Sequence, residues 1–397
     1  MRRTNRRKSC QRSAISYQPR VASLGSRPSL YAPNRRLATR SLGLLLLFLS
    51  AVPAFAAAAE RNDLTPRVGA MEIFGERAVP QKKIREVLGL SEGSPLPPSR
   101  GDLEDKLSAI RGVVAARLEV VCCDRGKTIL YVGIQERNAP HIEFHPSPTG
   151  DQALPEDLQT LYRDFLDLAK EAAREGSTGE DLTNGYSLMA FPDARSCQKL
   201  LQEQVEKYGN ELHEVVRKSG DEEQRAAAAY LLQYVPRASV RAGQLMVDDL
   251  QYALQDPSET VRASAMRALK AVRIGAKLHP EQSLTVLPTW YVELLNSVVW
   301  SDRRGASLEL VELTESRDPD TLAEIRERAI DAVAEMARWQ DLEHALPPFI
   351  LAGRLAGLSE ADIQAAWVAG NREAVIKKAI EGDKKPSLPE RLIQKVK

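Results

Sequence analysis

The residues of this chain that could do chemistry fall in two short stretches. His141-Ile-Glu143-Phe-His145 places two imidazoles and a carboxylate on one side of an extended chain. Three such ligands with water in the fourth position could hold a catalytic zinc. The spacing is nevertheless H-x-E-x-H, not the helical H-E-x-x-H of zinc peptidases, and Pro140, Pro146, Pro148 and Gly150 mark the stretch as a linker of solvated side chains. The second stretch is the vicinal pair Cys122-Cys123, with Cys197 further on. Without a C-x-x-C the pair cannot complete a structural zinc site. In an oxidising compartment one member would bond to Cys197 while the other packs in a core, and the sequence leaves open which. A thiol- or metal-dependent enzyme is thus the alternative from the catalytic class. No phosphate loop, G-x-S-x-G or H-E-x-x-H occurs. The expectation is a protein that is not an enzyme and uses no cofactor.

Charge patterning supplies the address. Residues 1–56 contain eleven Lys/Arg and no Asp or Glu, and without them the formal charge of +1 becomes −10. An acidic remainder argues against nucleic acid as a partner, because phosphate binding needs a basic face. Within the basic stretch, Leu42 to Phe55 is an apolar run ending in Ala54-Phe55-Ala56. That order predicts a signal peptide over 1–56 with a long basic n-region, cleaved after Ala56. The rival is an uncleaved inner-membrane anchor over 41–59, just long enough to span a bilayer. Both send the bulk of the chain to the periplasm.

At 397 residues, with 43% hydrophobic and 27% charged positions, the chain has an ordinary globular composition and room for about two or three domains. Over 68–137, Val68 to Phe74 alternates as a strand, closed by Gly75. Val79-Pro80 opens a helix with Ile84, Val87 and Leu88 on one face, and Leu103, Leu107 and Ile110 mark a second. Val113 to Val121 and Thr128 to Gln135 are β-branched runs joined by a turn. The predicted order is β-α-α-β-β. Residues 138–154 read as the linker. From 155 to 380 the periodicity is helical, as in Leu158, Leu161, Phe165 and Leu168, and the lysine- and proline-rich 381–397 form a flexible tail.

The helical part contains a repeat. Asp256-Pro257 makes a turn, Ser258 is placed to cap the helix that follows, and Val261, Ala265 and Leu269 line one face, with Arg262 directly after Val261. Arg225, Arg262 and Arg326 each have an alanine three residues on, and the first two lie 37 residues apart. This arrangement resembles a HEAT repeat. The resemblance implies stacked helix pairs whose arginine bonds to the aspartate of a neighbouring turn, fixing register between layers.

Over 68–137, Ile73-Phe-Gly75, Leu88-Gly-Leu, Glu92-Gly93-Ser-Pro-Leu96, Ile110-Arg-Gly112-Val113 and Leu130-Tyr-Val-Gly-Ile134 are similar to the POTRA domain of bacterial envelopes. The whole resembles an exported bacterial HEAT-repeat protein. The expected fold class is therefore α+β and multidomain, a small POTRA-like β-α-α-β-β domain followed by all-α HEAT-like repeats. The expected function is a periplasmic protein–protein interaction scaffold, binding partners on the helical surface and by strand addition to the small sheet. The alternative within binding functions is an accessory factor of outer-membrane protein assembly or secretion.

Overall fold

The computed structural model describes residues 66–124 and 127–382. The expectations for the signal peptide or anchor and for the tail beyond residue 382 lie outside the described residues, as do the side chains of Cys122 and Cys123. No helix among the described residues is long and apolar enough to cross a membrane.

The chain is mixed α+β. The small domain runs β1 (Val68–Phe74), α1 (Gln81–Leu88), α2 (Gly101–Ser108), β2 (Val113–Asp124) and β3 (Lys127–Glu136), in the order anticipated from the sequence. The sheet order is β1-β3-β2, with β1 parallel to β3 (Met71 beside Leu130) and β2 antiparallel to it (Leu118 beside Val132). Pro80, with φ already fixed near its helical value, precedes α1, and Gly89 ends it in the left-handed region. Strand β1 stops at Gly75, whose φ of +84° excludes other residues and whose added Cβ would meet the Ile134 carbonyl oxygen at 2.3 Å.

The helical part begins with α3 (Glu156–Arg174) and α4 (Pro192–Lys218), joined by a loop that holds a two-residue strand pair, β4 (Glu180–Asp181) and β5 (Leu188–Met189). Then follow α5 (Glu222–Leu231), α6 (Val240–Ala253), α7 (Glu259–Leu278), α8 (Thr289–Leu294), α9 (Trp300–Leu313), α10 (Pro319–Met336), α11 (Leu342–Leu355), α12 (Glu360–Val368) and α13 (Arg372–Glu381). Helices α5, α7, α9, α11 and α13 touch in sequence; α8 packs on α9 and α10, and α10 on α11. Caps mark the starts: Asp221 accepts from Glu223 and Gln224 N–H, Asp341 from His344 N–H, and Ser359 from Asp362 N–H. Ser258 stands at the N-cap of α7 but its hydroxyl makes no capping bond; Asp256 Oδ1 instead accepts from Ser258 N–H at 2.8 Å.

The two parts are not strung on a free linker. Strand β3 alternates between two cores. Leu130, Val132 and Ile134 face Ile84, Leu88, Leu103 and Leu107 beneath α1 and α2. Ile129 and Tyr131, with Phe74 of β1, belong to the main core of the helical stack. A sheet buried on both faces reads as a continuous apolar run, as Ile129 to Ile134 does. Gly133 falls on the stack side, where an added Cβ would lie 1.9 Å from the Val298 carbonyl oxygen. That approach requires glycine. Residues 137–154 have no regular structure yet lie against the stack. Ile142 and Leu154 are buried, His145 N–H donates to the Gln255 carbonyl, and Gly150 exchanges backbone bonds with Lys218 and Gly220. The expected linker is a packed strap.

Candidate binding surfaces

The deepest polar feature is a ladder of buried arginines. Arg225, the fourth residue after the N-cap of α5, forks onto Asp256 with bonds of 2.7 and 2.9 Å. Arg262, in the same place on α7, forks onto Asp302, with its shortest bond 2.7 Å. Each also uses Nη1 to hold the carbonyl six residues back, Ser219 for Arg225 and Asp256 for Arg262. The third rung is Arg303, in the same place on α9: it holds the Ser297 carbonyl, again six residues back, and reaches Glu335 at 2.8 Å. Asp256, Val261, Ala265 and Leu269 are fully buried and Pro257 is half-buried.

Arg326 is not a rung. It lies on α10, in the other row of helices, and donates to the carbonyls of Leu355 and Ala379 at the C-terminal ends of α11 and α13. Those carbonyls have no partner within their own helices, so a guanidinium there closes two helix ends at once. Arg303 also has an alanine three residues on, Ala306, and a Ser or Asp six residues before it as Arg225 and Arg262 do, but so does Arg326 with Ala329 and Asp320, so the spacing alone does not separate the two.

The ladder is roofed by the chain's own earlier segments. Phe144 of the strap lies under the Arg262 guanidinium at 4.3 Å, and Phe74 of β1 under that of Arg303 at 4.6 Å. His145 stacks on Tyr252 with ring centroids 4.2 Å apart, and Arg217 covers the same tyrosine at 4.5 Å. The H-x-E-x-H stretch is thereby dispersed. His141 Nδ1 bonds to the Ala139 carbonyl, Ile142 points into the core, and Glu143 is exposed. Among the described residues no three His, Cys, Asp or Glu side chains converge as a metal would require. Cys197 is disulfide-bonded, which removes it as a nucleophile; its bonding partner lies outside the described side chains.

At the junction of sheet and stack, Tyr131 stacks on Trp300 (centroids 4.8 Å) and meets Trp339 edge-on (5.1 Å), with its hydroxyl 2.6 Å from His344 Nδ1. Burial, followed by the charges of Asp341 and Glu72, pushes the pKa of this phenol far up. Two carboxylates of the sheet reach across to cap the stack. Glu119 accepts from Trp300 N–H at 2.5 Å, supplying α9 with the cap that Val299 cannot. Glu72 accepts from Gln340 N–H at 2.7 Å. Burial raises the pKa of both, against the lowering effect of those bonds.

Strand addition was expected at the sheet's free edge. Arg67 and Pro95 form a bridge beside β1, with Val68 N–H bonded to Ser94 and Gly93 N–H to Val68. On β2, Leu118 already gives its N–H to Glu104 at 2.8 Å and its carbonyl accepts from Arg100 at 3.4 Å. The side chains of α2 and its N-cap residue therefore plug the middle of the outer edge, as natural edge strands often are.

A cleft of about 560 Å³ opens at the α1/α2 end of the small domain. Val79, Val87 and Ile110 line it, with Lys83, Lys106 and Arg111 around them. No protein-family model matches the chain, and no curated protein does.

Proposed function

We propose that this chain is an exported, non-catalytic scaffold for protein–protein contacts in the bacterial envelope, in which a POTRA-like module and a HEAT-like solenoid form one platform. The observation that carries this reading is the junction. A β-α-α-β-β module lies flat on the helix stack through Phe74, Ile129 and Tyr131, with Glu119 and Glu72 capping the stack's turns. A module fixed this firmly presents its outer surface and the stack's in one constant geometry, which lowers the entropy lost on binding. The disulfide at Cys197 supports an oxidising compartment, in keeping with export. Strand addition to the small sheet finds less support as this scaffold's mode of binding, because Leu118 is already occupied on both backbone groups, and the helical surface carries more of the reading. The assembly-factor alternative is separated from it by the identity of the captured partner.

The test is capture of partners from crosslinked cells with a C-terminal tag, comparing the full chain with substituted versions. Deleting 68–137 would strip Phe74, Ile129 and Tyr131 from the core of the stack, so point substitutions must replace truncation. A reproducible, stoichiometric protein partner is the expected result. Its absence across several crosslinker chemistries would contradict the scaffold reading.

A further inference from the structure

The small domain has a polarity that its composition hides. Over residues 66–137, Lys and Arg number twelve against ten Asp and Glu, so the near balance depends on where the acids go. Four of them are committed to backbone N–H groups. Glu72 and Glu119 hold the stack, Glu104 holds Leu118, and Glu136 accepts from Arg77, Ala78 and Val79 at 2.8 to 3.0 Å. Of the other acids, Glu86, Asp102 and Asp105 are exposed on α1 and α2 but do not line the cleft between them, where the charged lining apart from Glu136 is cationic. Lys83, Lys106 and Arg111 are exposed around one cleft and, among the described residues, none makes an ion pair. Several cations of the helix stack are tied up instead: Arg273 with Glu309 and Glu312, Arg338 with Glu373, Arg354 with Glu360. One carboxylate, Glu136, lies in the cleft wall, but its oxygens already receive the three N–H bonds of the Arg77–Val79 turn. The floor between the cations is apolar: Val79 is buried, and Val87 and Ile110 are half-buried.

We infer that this cleft binds an acidic linear segment of a partner protein, with an apolar side chain of that segment seated on Val79, Val87 and Ile110 and its carboxylates among Lys83, Lys106 and Arg111. This rests on the scaffold reading and names the chemistry of its partner. Charge complementarity selects the acidic occupant and speeds encounter. The small apolar floor set between the cations suits one anchored side chain of a peptide, and the vesicle arm of the test below separates that occupant from a lipid surface.

The probe is a pair of short fluorescein-labelled peptides, one of alternating Glu and Asp around a central Leu, the other with Lys at the acidic positions, titrated with the full chain by anisotropy. The acidic peptide should bind and the basic one should not. Replacing its central Leu by Ser should weaken binding roughly fivefold or more, the value of one buried aliphatic side chain. The triple substitution Lys83→Glu, Lys106→Glu, Arg111→Glu should weaken it at least about tenfold. Lys83→Gln, Lys106→Gln, Arg111→Gln, with an unchanged melting curve, guards against a folding defect. Equal binding of both peptides, or no effect of the triple substitution, would overturn the inference. So would charge-dependent sedimentation with phosphatidylglycerol vesicles in place of peptide binding, or a self-association that the triple substitution abolishes. In the crosslinking experiment, a partner retained by the triple variant would sink only the cleft, whereas no partner with either chain would sink the scaffold.

Discussion

Two sets of cations in this molecule do opposite things. Arg225, Arg262 and Arg303 are almost wholly buried, each bonded to a carboxylate and to a carbonyl six residues back. Lys83, Lys106 and Arg111 stand in solvent around a cleft with no carboxylate paired to them among the described residues. The first set holds helix layers in register, and the second is free to recognise something else. Burial separates the roles. A guanidinium taken out of water must keep every partner it has, and an exposed ammonium can exchange one partner for another at little cost.

The comparison is broken most severely from the buried side. Arg262→Ala would strand Asp302 in the core and should destabilise the fold by about 3–5 kcal/mol, the usual cost of removing one partner of a buried pair. Urea denaturation measures it. Replacing both Arg262 and Asp302 with apolar residues should cost less than the two single changes together, since neither charge is then left alone. Next in size is Gly133→Ala, where the added methyl meets the Val298 carbonyl. A loss of about 1–3 kcal/mol is expected from such overpacking, together with faster hydrogen exchange across β3. Phe144→Ala should follow, at about 1–2 kcal/mol for the lost cation–π contact and apolar area over Arg262.

A pH series sharpens the contrast at the junction. Glu72, Glu76 and Glu119 are held above the ordinary carboxylate range, chiefly by burial. Their folded forms therefore take up protons that the unfolded chain releases, so their contribution to stability rises as pH falls from neutral toward the ordinary carboxylate range. Glu136 runs the other way. Burial opposes its charge, but the N–H bonds of Val79, Arg77 and Ala78 prevail and hold its pKa below the usual value. Its support is lost as pH falls through that lowered value. Stability should thus peak on the acid side of neutrality, and Glu119→Gln should flatten the rise toward that peak. The smallest effect belongs to the exposed set: Lys83→Gln should move stability by less than about 0.5 kcal/mol.

The sequence made the small domain's element order plain, because alternating runs, helix stripes and the punctuation at Gly75, Val79-Pro80 and Gly112 are local signals. It also pointed to Arg225, Arg262 and Asp256, since a fixed spacing survives in one dimension. The spacing does not separate Arg326 from Arg303, because the alanine three residues on occurs in both rows of helices, and only the bond to the carbonyl six residues back tells them apart. The docking of the sheet was harder to see. Its trace, the unbroken apolar run from Ile129 to Ile134, resembles an ordinary buried strand until a second core is known to lie behind it. The strap was hidden for a related reason. Proline-rich sequence announces irregular backbone, and nothing local shows that Ile142, Phe144 and His145 have something to lie against.

The central claim is that small domain and helix stack form one body. Equilibrium urea unfolding of the full chain carrying Trp290→Phe and Trp367→Phe tests it most directly. Its remaining tryptophans, Trp300 and Trp339, both sit against Tyr131 at the junction, while circular dichroism follows the helices. Coincident fluorescence and dichroism transitions are the predicted result. A fluorescence transition completed while the helical signal is intact would mean that the sheet leaves the stack independently, and would contradict the account.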